Sequence, residues 1–325
     1  KWVKSIGEPI SAGAVSYQEK LFLVGEEKIL VSLDQVTGET IWRVKLPTPS
    51  SATPIVADGL VFIGTAGSSM SAFNALNGEL VWSQSLGEGI LRSATVSNGV
   101  LYTAGINGFL FALDANSGEV RWKRDMGSGI RGAPAVSDGK LLVATTDRHL
   151  FIMDAETGEI TLDYLLPRGA EHSPAIDPQR AIAYVGSNYR TFHAVDINAT
   201  NIFLEKGINR WWAQLYIWEA VPRPPIQSGA IWTERLPSKV TTDPAIGRGN
   251  VFVGTERGVL YSLSDQDGSI IWSFKADERF VAPITVINDT VFAGSNDDVL
   301  YAIDAQTGIE RWRLTTEGNI QSAPS

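Results

Sequence analysis

The sequence predicts an all-β fold, an eight-bladed β-propeller of four-stranded antiparallel blades in which the eighth blade is incomplete. Three observations support this prediction. A segment that ends in Trp, or once in Leu, recurs at positions 2, 42, 82, 122 and 162 and again at 232, 272 and 312, in steps of 40 within each group. Each repeat contains short alternating apolar runs, the period of a β-strand, and turns that contain Gly separate them. A fixed period of about 40 residues with four strands indicates one propeller blade.

The repeat is clearest over residues 110–122, which read LFALDANSGEVRW. The alternation predicts a strand that ends at Asp114, whose carboxylate can accept backbone N–H groups in the following turn. Gly118 supplies the positive φ that a tight reversal needs. The chain then runs back to Trp122 as the second strand of a hairpin.

Both ends of the chain match strands of one further blade. Residues 1–6 (KWVKSI) have the register of a fourth strand, with Trp2 one period before Trp42, and residues 320–325 (IQSAPS) match a first strand. Pairing them in one eighth blade would remove the open edges of the ring. The middle two strands of that blade are missing, so a seven-bladed ring with loose ends is the alternative. In both cases residues 1–325 form a single propeller domain.

Composition limits the classes of function. The 325 residues are 44% hydrophobic and 19% charged, as in a folded chain rather than a disordered one. The formal net charge of −9 argues against a nucleic-acid partner. There is no cysteine, and the three histidines form no close ligand pair, so we expect no metal site. No apolar run approaches the ~18 residues of a membrane span, so membrane contact is expected at most through the insertion described below or a missing flanking segment.

The recurring run A-x-D-x-x-[TS]-G-x-x-x-W resembles the tryptophan-docking motif of the pyrroloquinoline-quinone-like (quinoprotein dehydrogenase-like) β-propeller superfamily. The matching residues include Ala112, Asp114, Ser117, Gly118 and Trp122, and the resemblance covers nearly the whole chain except residues 199–227. It implies that the Trp of each repeat lies between adjacent blades.

A structural role for these Trp residues also agrees with their chemistry, since an indole buries a large apolar area and can still place its N–H on a carbonyl. We therefore assign blade docking to the residues that end the repeats: Trp2, Trp42, Trp82, Trp122, Trp232, Trp272 and Trp312. Leu162 keeps the apolar part and lacks the N–H, so we expect a weaker contact at that blade.

The fifth repeat carries an aromatic-rich insertion over residues 199–228. The step from Asp196 to Trp232 is 36 residues, where other repeats have eight, which leaves 28 extra residues. Residues 209–220 (NRWWAQLYIWEA) predict a short apolar helix with Asn209 as its N-cap. Two interpretations stay open: a plug or lid that folds over the ring, or an aromatic anchor for a partner or for a ligand at the mouth. The residues assigned to partner binding are Trp211, Trp212, Tyr216 and Trp218.

A second candidate site is the mouth of the central channel, near the first strands of the blades. Polar residues of mixed sign start those strands or lie in the loop before one of them: Arg92, Arg131, Glu171, His172, Asp243 and Arg279. They could form a small polar or anionic ligand site, or a hydrated channel lined by solvated charges.

The family resemblance implies two classes of function. The first is a non-catalytic scaffold or sensor domain that binds a protein partner or a small ligand in the periplasm or outside the cell, without a cofactor. It is similar to the outer-membrane barrel-assembly lipoprotein and to the sensor propellers of bacterial receptors. The second is a dehydrogenase that uses pyrroloquinoline quinone (PQQ) and calcium. Those enzymes are usually much longer and use long inter-blade loops to build the cofactor site. Here the repeats are near the minimum length and one loop is long, which favours the scaffold.

Overall fold

The computed structural model contains seven four-stranded antiparallel blades within the residues that it describes, which are 2, 4–202, 205, 207–208, 211–212, 215, 218, 226–316 and 320. The predicted eight-bladed ring is therefore wrong. The all-β class, the four-stranded blade and the antiparallel pairing are confirmed. In every blade the strands pair in chain order from the innermost to the outermost.

The strands occupy four equivalent positions in the blades. The innermost strands, which contact one another in succession from blade 1 to blade 7, are β1 (Val15–Tyr17), β5 (Ile55–Ala57), β9 (Thr95–Ser97), β13 (Ala135–Ser137), β17 (Ala175–Asp177), β21 (Ala245–Gly247) and β25 (Thr285–Ile287). The second strands are β2 (Lys20–Gly25), β6 (Leu60–Gly64), β10 (Val100–Ala104), β14 (Lys140–Ala144), β18 (Ile182–Gly186), β22 (Asn250–Gly254) and β26 (Thr290–Gly294). The third strands are β3 (Ile29–Asp34), β7 (Ser69–Asn74), β11 (Phe109–Asp114), β15 (His149–Asp154), β19 (Thr191–Asp196), β23 (Val259–Ser264) and β27 (Val299–Asp304). The outermost strands are β4 (Thr40–Lys45), β8 (Leu80–Ser85), β12 (Val120–Asp125), β16 (Ile160–Leu165), β20 (Ala230–Arg235), β24 (Ile270–Lys275) and β28 (Glu310–Thr315).

Turn chemistry sets the register of the inner hairpins. In blade 3, Asn98 and Gly99 have φ angles of 50° and 71°. A two-residue hairpin of type I′ requires positive φ at both central residues, and Asn-Gly adopts it at low cost. Blade 5 has a longer turn in the same place, because Asp177 pairs with Ile182.

The outer hairpins have the predicted turn except in blade 5, where the insertion replaces it, and every one carries a β-bulge. In blade 3, Asp114 Oδ1 accepts the backbone N–H groups of Asn116 and Ser117, each at 3.0 Å. The register shifts immediately before Trp122, so Arg121 has no partner on β11. The same shift recurs in all seven described blades. Since a bulge bends and re-aims its strand, it sets the direction of the residue that docks on the next blade.

The apolar core lies between neighbouring blades rather than at the centre of the ring. One buried cluster joins Phe62 and Met70 of blade 2 to Leu101 and Phe111 of blade 3, with Trp82 between them. Equivalent clusters join the blades that follow. A single blade could not bury these faces alone, so the ring is stabilised by its blade-to-blade contacts.

Each docking indole except that of Trp312 donates to a carbonyl of the blade that follows it in the chain. Trp82 Nε1 lies 2.9 Å from Ala115 O, and its ring packs against Gly118, where a Cβ would come within 2.6 Å of the indole. The acceptor is always 33 residues further along the chain. The pairs in the described chain are Trp2 to Gln35, Trp42 to Ala75, Trp82 to Ala115, Trp122 to Ala155, Trp232 to Asp265 and Trp272 to Ala305.

The two ends of the chain depart from this pattern. Trp312 is 47% exposed, because no described blade follows it. At the other end, Trp2 donates to blade 1 and Ile6 is buried there, but no described residue among 2–6, nor Ile320, belongs to a strand. A fourth strand forms by pairing with a third strand of its own blade, and no described residue supplies one. The predicted eighth blade fails for this reason.

Candidate functional site

The centre of the ring holds a cavity of about 1550 Å³. The loops of blades 3 to 7 bring all six residues predicted at the mouth to its wall: Arg92, Arg131, Glu171, His172, Asp243 and Arg279. Five of these residues were predicted to start strands, but none of the six does. The innermost strands are only three residues long, so β9 begins at Thr95 and Arg92 lies in the loop before it.

Two carboxylates of the cavity are engaged by neighbouring side chains. Glu171 Oε2 lies 3.2 Å from the Nζ of Lys239. Asp243 Oδ1 and Oδ2 accept the backbone N–H and the hydroxyl of Ser173, each at 2.9 Å, and Oδ1 lies 3.6 Å from His172 Nδ1. Burial raises the pKa of Asp243, but the nearby His172 and the hydrogen bonds from Ser173 outweigh it, so this pKa lies below its usual value. Asp243 is therefore ionised at neutral pH.

The arginines of the cavity behave differently. Arg92, Arg131 and Arg279 are exposed, and their guanidinium groups form no ion pair or hydrogen bond within the described part of the chain. Arg92 and Arg131 precede the innermost strands of adjacent blades, and we call them the arginine wall. The other two carboxylates of the cavity, Glu26 and Asp298, belong to blades 1 and 7.

Hydrogen bonds between blades hold these loops in place. Thr95 Oγ1 donates to Pro134 O at 2.6 Å, which joins the start of β9, just after Arg92, to the loop that follows Arg131. The Ala133 N–H donates to Ser173 Oγ at 2.9 Å, and this hydroxyl in turn donates to Asp243. Ser173 and Lys239 were missed at the sequence level. The available signal for Ser173 was a hydroxyl residue at the equivalent position of two other repeats, Thr53 and Ser93.

The insertion of blade 5 contains a helix that begins earlier than predicted. Its described helical residues are Glu205, Gly207, Ile208, Trp211, Trp212 and Leu215. Glu205 Oε2 accepts the N–H of Ile202 at 3.3 Å, as the carboxylate of a Glu at the third helical position does in a capping box. The Glu205 N–H donates to the backbone carbonyl of Ile202. The predicted cap Asn209 and the predicted anchor Tyr216 lie outside the described residues. No described helix is long and apolar enough to span a bilayer.

Both ends of the insertion pair with the outer edge of blade 4. Asn201 Oδ1 accepts the N–H of Asp163 at 2.7 Å. Gln227 Oε1 accepts the N–H of Leu165 at 3.0 Å, and its Nε2 donates to Leu165 O at 2.9 Å. Two amide side chains thus replace a further strand on an otherwise open edge. Nothing local in the sequence pointed to this contact, which reinforces the blade where Leu162 stands in place of Trp.

The described insertion residues do not line the central cavity, so they cover an outer edge rather than the mouth. Trp211 is 64% exposed and Trp218 is 69% exposed, whereas Trp212 is partly buried. We call the exposed apolar residues of the insertion the insertion surface: Ile202, Ile208, Trp211, Trp218 and Ile226.

Next to this contact lies a buried histidine that the sequence analysis did not single out. His193 Nδ1 lies 3.0 Å from Thr233 Oγ1 and 3.3 Å from the Tyr164 hydroxyl, and Nε2 lies 2.8 Å from Thr191 Oγ1. Burial lowers the pKa of His193 from its ordinary value of 6.5 to about 4. The imidazole is therefore neutral in the folded protein under ordinary conditions and helps to join blades 4 and 5.

Because His193 is buried and its pKa is lowered, we expect the protein to lose stability in acid. Below pH 6.5 the unfolded chain takes up a proton that the folded chain accepts only near pH 4, so the free energy of unfolding falls between these values, by ~3 kcal/mol. Urea denaturation at pH 7.5 and 4.5 measures the loss. In His193→Gln the loss between the two pH values should be smaller by about 2–3 kcal/mol. An unchanged pH dependence in this variant would contradict the assignment.

Whether the cavity could hold PQQ and calcium depends on the oxygen ligands that its side chains offer. Calcium takes six to eight oxygen ligands. Glu171 is held by Lys239, and both oxygens of Asp243 are held by Ser173. Among the described residues, no group of three His, Cys, Asp or Glu side chains is arranged to hold a metal ion. The donor set around this cavity does not fit a calcium-bound quinone.

Comparison with known proteins places the chain in a family. The family model described as outer membrane protein assembly factor BamB matches residues 1–92, 71–216 and 225–325. The chain belongs to the BamB family. An outer membrane protein assembly factor BamB of Shewanella oneidensis is 32% identical over 71 residues, which are 22% of this chain and 18% of that protein. The match therefore spans less than a fifth of the length of that relative.

Solved structures share the fold of this BamB-family chain. BamB from Moraxella catarrhalis superposes with a TM-score of 0.77 at 17% identity, over 99% of this chain and 90% of that one. The computationally designed Ika8 protein superposes with a TM-score of 0.79 at 13% identity, over 97% of this chain and 90% of that one. The quinohemoprotein alcohol dehydrogenase from Comamonas testosteroni superposes with a TM-score of 0.73 at 13% identity, over 98% of this chain and 68% of that one. At these identities the likeness shows the fold alone. The predicted resemblance to PQQ-like propellers, in the style of the non-catalytic members, is confirmed.

Proposed function

We propose that this BamB-family propeller is a non-catalytic scaffold that binds a protein partner outside the cytoplasm, in the assembly of outer membrane proteins. The name of the family supports the process and the compartment. The observation that carries the binding role is the insertion surface, where two large aromatic side chains, Trp211 and Trp218, are more than 60% exposed.

Exposed Trp side chains on a built support suit a protein interface. Trp is among the residues that contribute most to binding energy, because it buries a large area with few rotatable bonds. Asn201 and Gln227 fix the ends of the insertion to blade 4. Such an anchored surface loses less conformational entropy on binding than a free loop would.

Trp211→Ala combined with Trp218→Ala is expected to weaken partner binding by tenfold or more, since each removes a large contact area. The ligand for the test is a purified, dye-labelled outer membrane β-barrel protein, unfolded in urea and diluted into buffer, with binding followed by fluorescence anisotropy. The melting temperature of the variant should stay close to that of the unmodified protein.

The matched control is Val36→Ala combined with Ile309→Ala, which removes two exposed apolar side chains from blade turns, 75% and 67% exposed. It should bind as the unmodified protein does. If the Trp variant kept full affinity, or if it melted much earlier while still binding, the insertion would be a structural element and the proposal would fail.

We propose further that the scaffold works without a quinone. After incubation with PQQ and Ca²⁺, we expect no dye-linked oxidation of alcohols. Turnover in this assay would contradict the non-catalytic role.

A further inference from the structure

We infer that the central cavity binds a small multivalent anion of the carboxylate or phosphate class on the arginine wall, Arg92 and Arg131. This site is separate from the insertion surface and goes beyond the proposed capture of a protein partner.

The distribution of charge around the cavity carries the inference. The chain has a formal net charge of −9, yet the two guanidinium groups of the wall have no partner among the described residues. Two of the carboxylates that line the cavity, Glu171 and Asp243, are engaged by Lys239 and Ser173. Those carboxylates therefore do not neutralise the arginine wall.

The remaining charges of the cavity leave this wall cationic. Glu26 and Asp298 belong to blades 1 and 7. Blades 3 and 4 are separated from them by at least one whole blade on either side of the ring. Arg279 of blade 7 lies on the same side as these two acids. An anion that enters the cavity consequently meets its most favourable potential beside Arg92 and Arg131.

The position of the two arginines explains why the anion should carry more than one charged group. They stand 39 positions apart in the sequence, one short of the 40-residue period, in the loops before the innermost strands of adjacent blades. The Thr95–Pro134 hydrogen bond joins the start of β9 to the loop that follows Arg131. A guanidinium binds a carboxylate or phosphate through two parallel N–H donors. If each arginine binds one anionic group, the ligand must carry at least two such groups. A cavity of about 1550 Å³ has room for such a ligand.

Isothermal titration with citrate and with pyrophosphate at low ionic strength tests the site and distinguishes the two anion classes. We expect at least one of them to bind with a stoichiometry near one, and sodium chloride at equal ionic strength to give no binding signal. Arg92→Gln and Arg131→Gln should each weaken binding about tenfold, because each removes a charge-assisted bidentate contact. The double variant should show no measurable binding.

The control is Arg257→Gln combined with Lys45→Gln, which removes two exposed cations that do not line the cavity. It should bind as the unmodified protein does. Failure of both anions to bind would overturn the inference, and so would equal weakening in the control, which would indicate a general charge effect. The Trp211→Ala, Trp218→Ala variant should retain anion binding, so the two proposals can fail independently. Unchanged melting temperatures of the arginine variants establish that they fold.

Discussion

Replacing Trp82 by alanine is expected to lower the free energy of unfolding by about 3–5 kcal/mol. The indole is buried between blades 2 and 3, where it packs against Phe62 with ring centroids 6.0 Å apart and covers Gly118. Its removal would leave a cavity between two blades and deprive Ala115 O of its donor. Equilibrium urea denaturation followed by circular dichroism measures the loss.

Two further variants separate the contributions of this contact. Trp82→Phe keeps much of the apolar ring and loses the N–H, so we expect it to lower the free energy of unfolding by about 1–2 kcal/mol. Trp312→Ala removes the same side chain from a site that is 47% exposed and has no described blade beyond it, so about 1 kcal/mol is expected. Equal losses for Trp82→Ala and Trp312→Ala would show that docking between blades does not stabilise the ring.

Gly118→Ala is expected to cost about 2–5 kcal/mol, through two effects on the same interface. Gly118 has a φ of 75°, which strains any residue with a Cβ. That Cβ would also lie 2.6 Å from the Cδ2 and Cε3 atoms of Trp82. The indole would have to move away from its carbonyl, so the midpoint of urea denaturation should fall markedly.

Gly139→Ala is the matched control, because Gly139 has a φ of 72° and no atom within 4 Å of an added Cβ. It experiences the backbone strain alone, about 1–2 kcal/mol. If both alanine variants unfolded at the same denaturant concentration, the close approach of the indole to Gly118 would not be a feature of the folded protein.

The repeat predicted most of the fold because each blade is specified locally. The alternation around Asp114, the positive φ of Gly118 and the position of Trp122 determine one hairpin and its contact with the next blade. The number of blades was not determined in the same way. Residues 1–6 have the pattern of an outer strand, but a strand also needs a partner, and pattern alone does not reveal whether one is present.

The candidate sites were predicted in part. Because all blades present their inner loops to one axis, sequence position alone brought Arg92 and Asp243 to the same cavity. Their partners could not be predicted in this way, since the contact between Ser173 and Asp243 depends on the distance between two blades. The amide contacts of Asn201 and Gln227 with β16 likewise join residues that no local pattern relates.

Hydrogen exchange at the indole N–H groups tests the central claim most directly, namely that each blade is fastened to the next through its Trp. In the folded protein labelled with ¹⁵N-tryptophan, the Nε1–H groups of Trp42 and Trp82 should exchange much more slowly than those of Trp211, Trp218 and Trp312. Slow exchange confined to the blade-docking indoles would support the account. Exchange of Trp82 as rapid as that of Trp312 would contradict it.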